Sequence, residues 1–269
     1  MNTVLDTNLT AELDIGGFLP LARMEDLAKT GSASYKSARP FPHIVADNFF
    51  DPAMLDQVLE EFPAPGEIAW KGFENKYEIK LFSSKDSTFG PMTRLLMYHL
   101  NSISFLNFLS RVTGIENLIP DPTFDGGGMH QIVRGGRLGI HADFNRHKKY
   151  GLDRRLNALV YLNKNWQEDY GGHLELWNRE MTHREQRILP VFNRMVVFST
   201  TDFTYHGHPD PLQCPSDMTR KSLALYYYTN GRPAHEISGR HSTLFKARTE
   251  GEFGRPSFKE RMRGFFKRR

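Results

Sequence analysis

Two textures divide the chain. Up to about residue 112 the apolar residues recur mainly at helical spacing, whereas from Met129 onward they gather in short β-like runs separated by Gly, Asn, Asp and Pro. Within the first part, FPHIVADNFF predicts a strand. Asp51 and Pro52 then suit the N-cap and first position of a helix, with Met54, Leu55, Val58, Leu59 and Phe62 on one face. A second helical region is predicted from about Pro91 to Val112, with Leu95, Leu96, Leu100, Ile103, Leu106 and Leu109 as its buried stripe. Residues 1–40, polar and Gly/Ser-tinged around KTGSASYKSARP, read as a loosely attached lead-in.

The second part contains MHQIV, LGIHADF, LNALVYL, HLELW, RMVVFST and SLALYYY. Six such runs without a helical pattern between them predict an antiparallel barrel or double-sheet jelly roll, not a βαβ fold. The expected class is α+β: a helical N-terminal layer supporting a C-terminal jelly roll, also called a double-stranded β-helix. The domain is expected over 41–245, its jelly-roll core over about 128–230, and a basic tail over 246–269. No internal repeat is present.

Composition narrows this further. Of 269 residues, 39% are hydrophobic and 12% aromatic, enough for a sizeable core. The single cysteine, Cys214, excludes an internal disulfide and any Cys-rich zinc site. The first residues show neither a basic n-region nor an apolar h-region, and no apolar run is long enough to span a bilayer, so a cytoplasmic location is expected. The net charge is +4, but SFKERMRGFFKRR at the end carries six basic side chains and one acidic one, which leaves the remainder slightly acidic. No nucleic-acid partner is therefore expected. Phe265 and Phe266 in that tail could touch an anionic membrane surface, although a solvated terminus is the simpler expectation.

The candidate chemistry begins at HADFNRH, residues 141–147. Alternate strand residues share a face, so His141 and Asp143 can present an imidazole and a carboxylate to one small volume. A third ligand can come from DFTYHGHPD, where His206 and His208 are both available. Two histidines and one carboxylate form the facial set that holds non-haem Fe(II) with positions left open, and the same donors can hold zinc. Further on, Arg220, Ser222 and Ala224 share a face of RKSLALYYY. A guanidinium can bind a carboxylate in bidentate fashion and a hydroxyl can assist. That face suits the far carboxylate of a dicarboxylic acid whose other end chelates the metal.

At these residues the chain resembles the 2-oxoglutarate- and Fe(II)-dependent dioxygenases, within them the prolyl-hydroxylase-like group. The resemblance runs from about His130 to Tyr228. It rests on HAD at 141–143, LVYLNKNW at 159–166, GGHLELW at 171–177, PVFNRMVVFS, the YHGHP turn and RKS. It implies His141, Asp143 and His206 as iron ligands, the choice of His206 over His208 belonging to the resemblance alone. It also implies Arg220 as partner of the 2-oxoglutarate C5 carboxylate, Tyr161 as a second donor to it, and Ser222 as the serine of the family's R-x-S pattern. Asn157, on the Tyr161 face, and Gln131, on the preceding strand, are further candidates to line the cosubstrate pocket.

The implied cofactor is Fe(II), the cosubstrates are 2-oxoglutarate and O2, and ascorbate is an optional reductant. The implied reaction is hydroxylation of an unactivated C–H bond with release of succinate and CO2. Asp143 stands where halogenating relatives carry a small non-ligating residue, so hydroxylation is expected over halogenation. A prolyl residue in a protein or peptide is the first expected substrate, a free amino acid or other small metabolite the alternative. A zinc hydrolase with the same ligands and a silent jelly-roll binding module are the competing classes. Segment 144–155, FNRHKKYGLDRR, is expected to be a lid or a solvated basic loop, and PDPLQCPSDMT a loop at the mouth of the site.

Overall fold

The computed structural model describes residues 18–254. Of the loose lead-in expected over residues 1–40, 1–17 lie outside the described residues, and 21–37 instead form helix α1 (Leu21–Ser37). Its Met24, Ala28, Gly31 and Tyr35 fall at helical spacing and are buried as it packs on α4 (Ile103–Thr113) and β1 (His43–Asp47). Gly31 belongs to close packing and not to looseness: a Cβ there would lie 2.8 Å from Ile44 Cδ1. Helix α2 (Pro52–Glu60) starts as expected, with Asp51 Oδ1 accepting from Met54 N at 2.9 Å.

The helical region after Pro91 is two helices. Helix α3 (Pro91–Leu100) stops at Asn101, and Ser102 caps α4, whose far end is closed by Gly114 at φ 75°. This break resets the helical phase. Leu96, Leu100, Leu106 and Leu109 are buried, but Leu95 and Ile103, expected in the same stripe, are 40% and 69% exposed.

The strands are β2 (Lys71–Glu74), β3 (Glu78–Ser83), β4 (Ile119–Pro120), β5 (Gly128–Ile132), β6 (Arg137–Ala142), β7 (Asp153–Tyr161), β8 (Leu174–Trp177), β9 (Arg184–Ile188), β10 (Arg194–Ser199), β11 (Tyr205–His208), β12 (Arg220–Thr229) and β13 (Leu244–Phe245). All pair antiparallel. One four-stranded layer runs β10-β7-β12-β5, extended by β1; the other runs β6-β11-β8-β9. Strand β3 joins them by pairing with both β5 and β6. The result is a double-stranded β-helix backed by helices, in the α+β class.

Alternation along β7 and β12 assigns the faces. Leu156, Ala158, Val160, Leu223, Leu225 and Tyr227 join the helices in the main core. The opposite faces, with Asn157, Leu159, Ser222 and Tyr226, look into a cavity between the layers. The insert 209–219 does not line that cavity. Leu212 and Cys214 are fully buried with Ile132 and Trp166 in a separate cluster, because the segment's apolar residues found a pocket of their own. No helix among the described residues is long and apolar enough to cross a membrane. Of the basic tail expected over 246–269, residues 246–254 are described, while 255–269, with Phe265 and Phe266, lie outside the described residues.

Candidate active site

The pairing of β6 and β11 places His206 opposite His141. Asp143, just beyond β6, lies 3.6 Å from His141 Nε2 through Oδ1 and 3.5 Å from His206 Nε2 through Oδ2. Donor atoms of all three lie within 4.8 Å of one another. Each imidazole has its Nδ1 at 2.9 Å from a backbone carbonyl, His141 on Gly139 and His206 on Thr204. A carbonyl only accepts, so Nδ1 carries the proton and Nε2 turns its lone pair to the common centre. Burial pushes the His206 pKa down to about 4, which keeps the ring neutral at ordinary pH. Two imidazoles and a carboxylate converging from one side fit Fe(II).

His208, the other candidate, pairs with Leu138 across a register shift, and neither of its ring nitrogens has a hydrogen-bond partner. It lines the same cavity, and burial, with the charges of Arg220 and Lys80, holds its pKa well down.

Asp143 is held from behind. Its Oδ2 accepts from Asn157 Nδ2 at 2.8 Å and lies 3.1 Å from Arg154 Nη2. Arg154 is 1% exposed, donates through Nε and Nη2 to Asn157 Oδ1 at 3.0 and 2.7 Å, and lies between the rings of Tyr226 and Phe144. Burial alone would raise the Asp143 pKa, but Arg154, with His206 and His141, outweighs it and keeps the carboxyl well below its usual range. By simple alternation Arg154 should face away from Asn157. The β12–β7 register shifts between Tyr227 and Tyr228, which pair with Leu156 and Arg154, so Arg155 is skipped and Arg154 turns inward.

The cavity has a volume of about 240 Å³, and Arg220 and Ser222 are among its lining residues. Arg220 is buried, donates from Nε to the Gly172 carbonyl at 2.7 Å and from Nη2 to Tyr161 Oη at 3.3 Å. It makes no ion pair among the described residues, and burial lowers its pKa. An anion arriving here would relieve a desolvated cation.

The remaining candidates separate. Tyr161 lies behind Arg220 and orients it, while Ser222 lines the cavity beside it. Asn157 lines the cavity too, but its amide serves Asp143. Gln131 is a correction: it alternates with His130 and Ile132, which line the cavity, and so faces the other way, donating to the Pro63 carbonyl and accepting from Thr219 Oγ1. Segment 144–155 is not simply solvated, since Asn145, His147 and Arg154 are buried. Sequence reasoning missed His130, Arg154 and the whole contribution of β2 and β3: Phe73, Glu78, Lys80 and Phe82. The alternation Glu78, Lys80, Phe82 against Ile79, Leu81 was the available signal. Apart from Asp143, Glu78 is the carboxylate lining this cavity, and it is tied to Lys80 at 3.1 Å. That leaves no uncommitted carboxylate to act as the base of a zinc hydrolase.

Residues 127–228 match the family model of the 2OG-Fe(II) oxygenase superfamily. Among solved structures, a Pseudomonas putida prolyl-4-hydroxylase is similar at 16% identity and TM-score 0.53, over 78% of this chain and 99% of that one. A prolyl hydroxylase from Trichoplax adhaerens, in complex with a hypoxia inducible factor peptide fragment, is similar at 18% identity and TM-score 0.53, over 78% and 92%. The non-heme alpha-ketoglutarate-dependent epimerase SnoN from nogalamycin biosynthesis reaches 11% identity and TM-score 0.50, over 84% and 97%. At these identities the likeness is one of fold. No curated protein matches the chain in sequence.

Proposed function

We propose that the chain is a 2OG-Fe(II) oxygenase, a reading supported by the family-model match over residues 127–228, and that it hydroxylates an unactivated C–H bond, with a prolyl residue of a protein or peptide as first substrate. The observation that carries the reading is one cavity lined both by the His141–Asp143–His206 cluster and by Arg220, a buried arginine that makes no ion pair among the described residues. Fe(II) held by those three side chains would couple oxidative decarboxylation of 2-oxoglutarate by O2 to the hydroxylation, giving succinate and CO2.

The chain's own residues provide orientation and charge. The Gly139 and Thr204 carbonyls fix both imidazole tautomers, and Asn157 with Arg154 keeps Asp143 ionised and aimed. Arg220, steadied by Gly172 and Tyr161, receives the far carboxylate of 2-oxoglutarate, with the Ser222 hydroxyl beside it. The prolyl assignment is supported by the family segments around the ligands and by the fold shared with prolyl hydroxylases. A free amino acid or other small metabolite is the alternative, in keeping with a 240 Å³ cavity.

The test is anaerobic titration of the protein with Fe(II) and 2-oxoglutarate, followed by admission of O2 with prolyl peptides or free amino acids. A metal-to-ligand charge-transfer band and substrate-stimulated succinate are expected. Absence of the band would overturn the reading, and stimulation by free amino acids alone would move the substrate to the alternative.

A further inference from the structure

A second cavity, of about 480 Å³, adjoins the first, and Phe144 and Thr243 line both. The remaining wall of the outer cavity is Asp125, Arg146, Lys148, Arg240, His241 and Ser242. Three permanent cations thus face one carboxylate. Arg146 directs Nε to Asp153 at 3.3 Å, and His241 pairs with Asp202 at 2.8 Å. Arg240 donates from Nη2 to the Lys148 carbonyl at 3.2 Å, and neither it nor Lys148 makes an ion pair among the described residues.

These cations are held in place. They come from two segments distant in sequence, clamped together by the buried Asn145. Its Nδ2 donates to Ser238 Oγ and the Gly239 carbonyl, both at 2.9 Å, and its Oδ1 accepts from His241 N at 3.0 Å. Ordinary solvated loop charge needs no such clamp. On the inner side of Phe144, 4.5 Å from its ring centroid, Arg154 continues the positive lining to within 3.1 Å of Asp143. Cationic side chains therefore line both adjoining cavities, from Lys148 and Arg240 in the outer one to Arg154 beside Asp143 in the inner one.

We propose that the substrate carries an oxyanion group, carboxylate or phosphate, which docks on Lys148 and Arg240, with Arg146 beside them, while the C–H bond to be oxidised reaches past Phe144 towards the metal cluster. This rests on the hydroxylase reading and names its substrate class. Low-dielectric walls around one sign of charge raise the local concentration of the opposite sign, and Asp125 would reject a cationic partner.

The test uses zinc-substituted, 2-oxoglutarate-loaded protein, whose cosubstrate affinity is measured first, with backbone amide shifts as the readout. The probes are inorganic phosphate, a hexapeptide with one proline flanked by glutamates, and the same peptide with glutamines. Saturable shifts are expected at 145–150 and 239–243, at least tenfold weaker for the glutamine peptide. They should weaken at least tenfold in the Lys148→Ala/Arg240→Ala double variant, with 2-oxoglutarate affinity unchanged. Saturation by phosphate alone assigns the oxyanion to a small metabolite, and by the acidic peptide alone to a protein segment. No saturation by either, equal binding of the two peptides, or undiminished binding by the double variant would overturn the proposal. Failure of 2-oxoglutarate to bind at the outset would instead refute the hydroxylase reading.

Discussion

Gly172 packs directly against Arg220, and substituting it tests whether Arg220 has the role assigned to it. Its φ is 71°, and an added Cβ would lie 2.6 Å from Leu212 Cδ2, 2.9 Å from Arg220 Cδ and 3.3 Å from Arg220 Nε. Its carbonyl also accepts from Arg220 Nε at 2.7 Å. The neighbouring Gly171 has φ 73° but nothing within 4 Å of a Cβ. Alanine at either position carries backbone strain of about 1–3 kcal/mol, so both variants should melt at lower temperature. Only Gly172→Ala also pushes the guanidinium off its line. Charge-assisted hydrogen bonds contribute roughly 1.5–3 kcal/mol, so misalignment should weaken 2-oxoglutarate binding about 10- to 150-fold. Anaerobic titration of the Fe(II) charge-transfer band in both variants measures this directly. If Gly172→Ala binds 2-oxoglutarate as tightly as Gly171→Ala does, Arg220 is not what holds the cosubstrate.

Three further outcomes are expected. Asp143→Ala should abolish succinate formation, whereas Arg220→Ala should mainly raise the 2-oxoglutarate requirement; succinate production by Asp143→Ala would show the ligand set to be wrong. Asn157→Ala removes the 2.8 Å bond to Asp143 and should lower Fe(II) affinity about 10- to 100-fold, measured by competition with a metal-binding dye. His130 donates to the Gly126 carbonyl, and burial, reinforced by Lys80, pushes its pKa down to about 3. Below pH 6.5 the unfolded chain therefore takes up a proton that the native state refuses, so stability falls with pH until the native pKa is reached. Because the ring also meets cavity water, the loss by pH 5 should be about 1–2 kcal/mol. Denaturant melts of metal-free protein against His130→Gln check this, and an unchanged difference between pH 8 and pH 5 would refute it.

What was readable in the chain followed from unbroken periodicity. His141 and Asp143 are two apart across the end of one strand, Arg220 and Ser222 two apart on another, and both pairs face the cavity as alternation requires. What was not readable lies where periodicity breaks. The interruption at Asn101 and Ser102 changes the helical phase and brings Leu95 and Ile103 to the surface. Skipping Arg155 in the β12–β7 register turns Arg154 from the core-facing side to the cavity. The shift between His206 and His208 leaves one opposite His141 and the other opposite Leu138, a distinction set by a partner strand more than sixty residues away. A one-residue slip reverses every side chain beyond it, and slips are decided by pairing, which local sequence does not specify. The ligands on regular strands were therefore accessible to sequence reasoning, while Arg154, which braces the metal's carboxylate and adjoins the cationic entrance, required the fold. The same division applies to function: regular positions carry the proposed metal and cosubstrate ligands, and the irregular segments 144–152 and 238–243 carry the charges that would select this protein's own substrate.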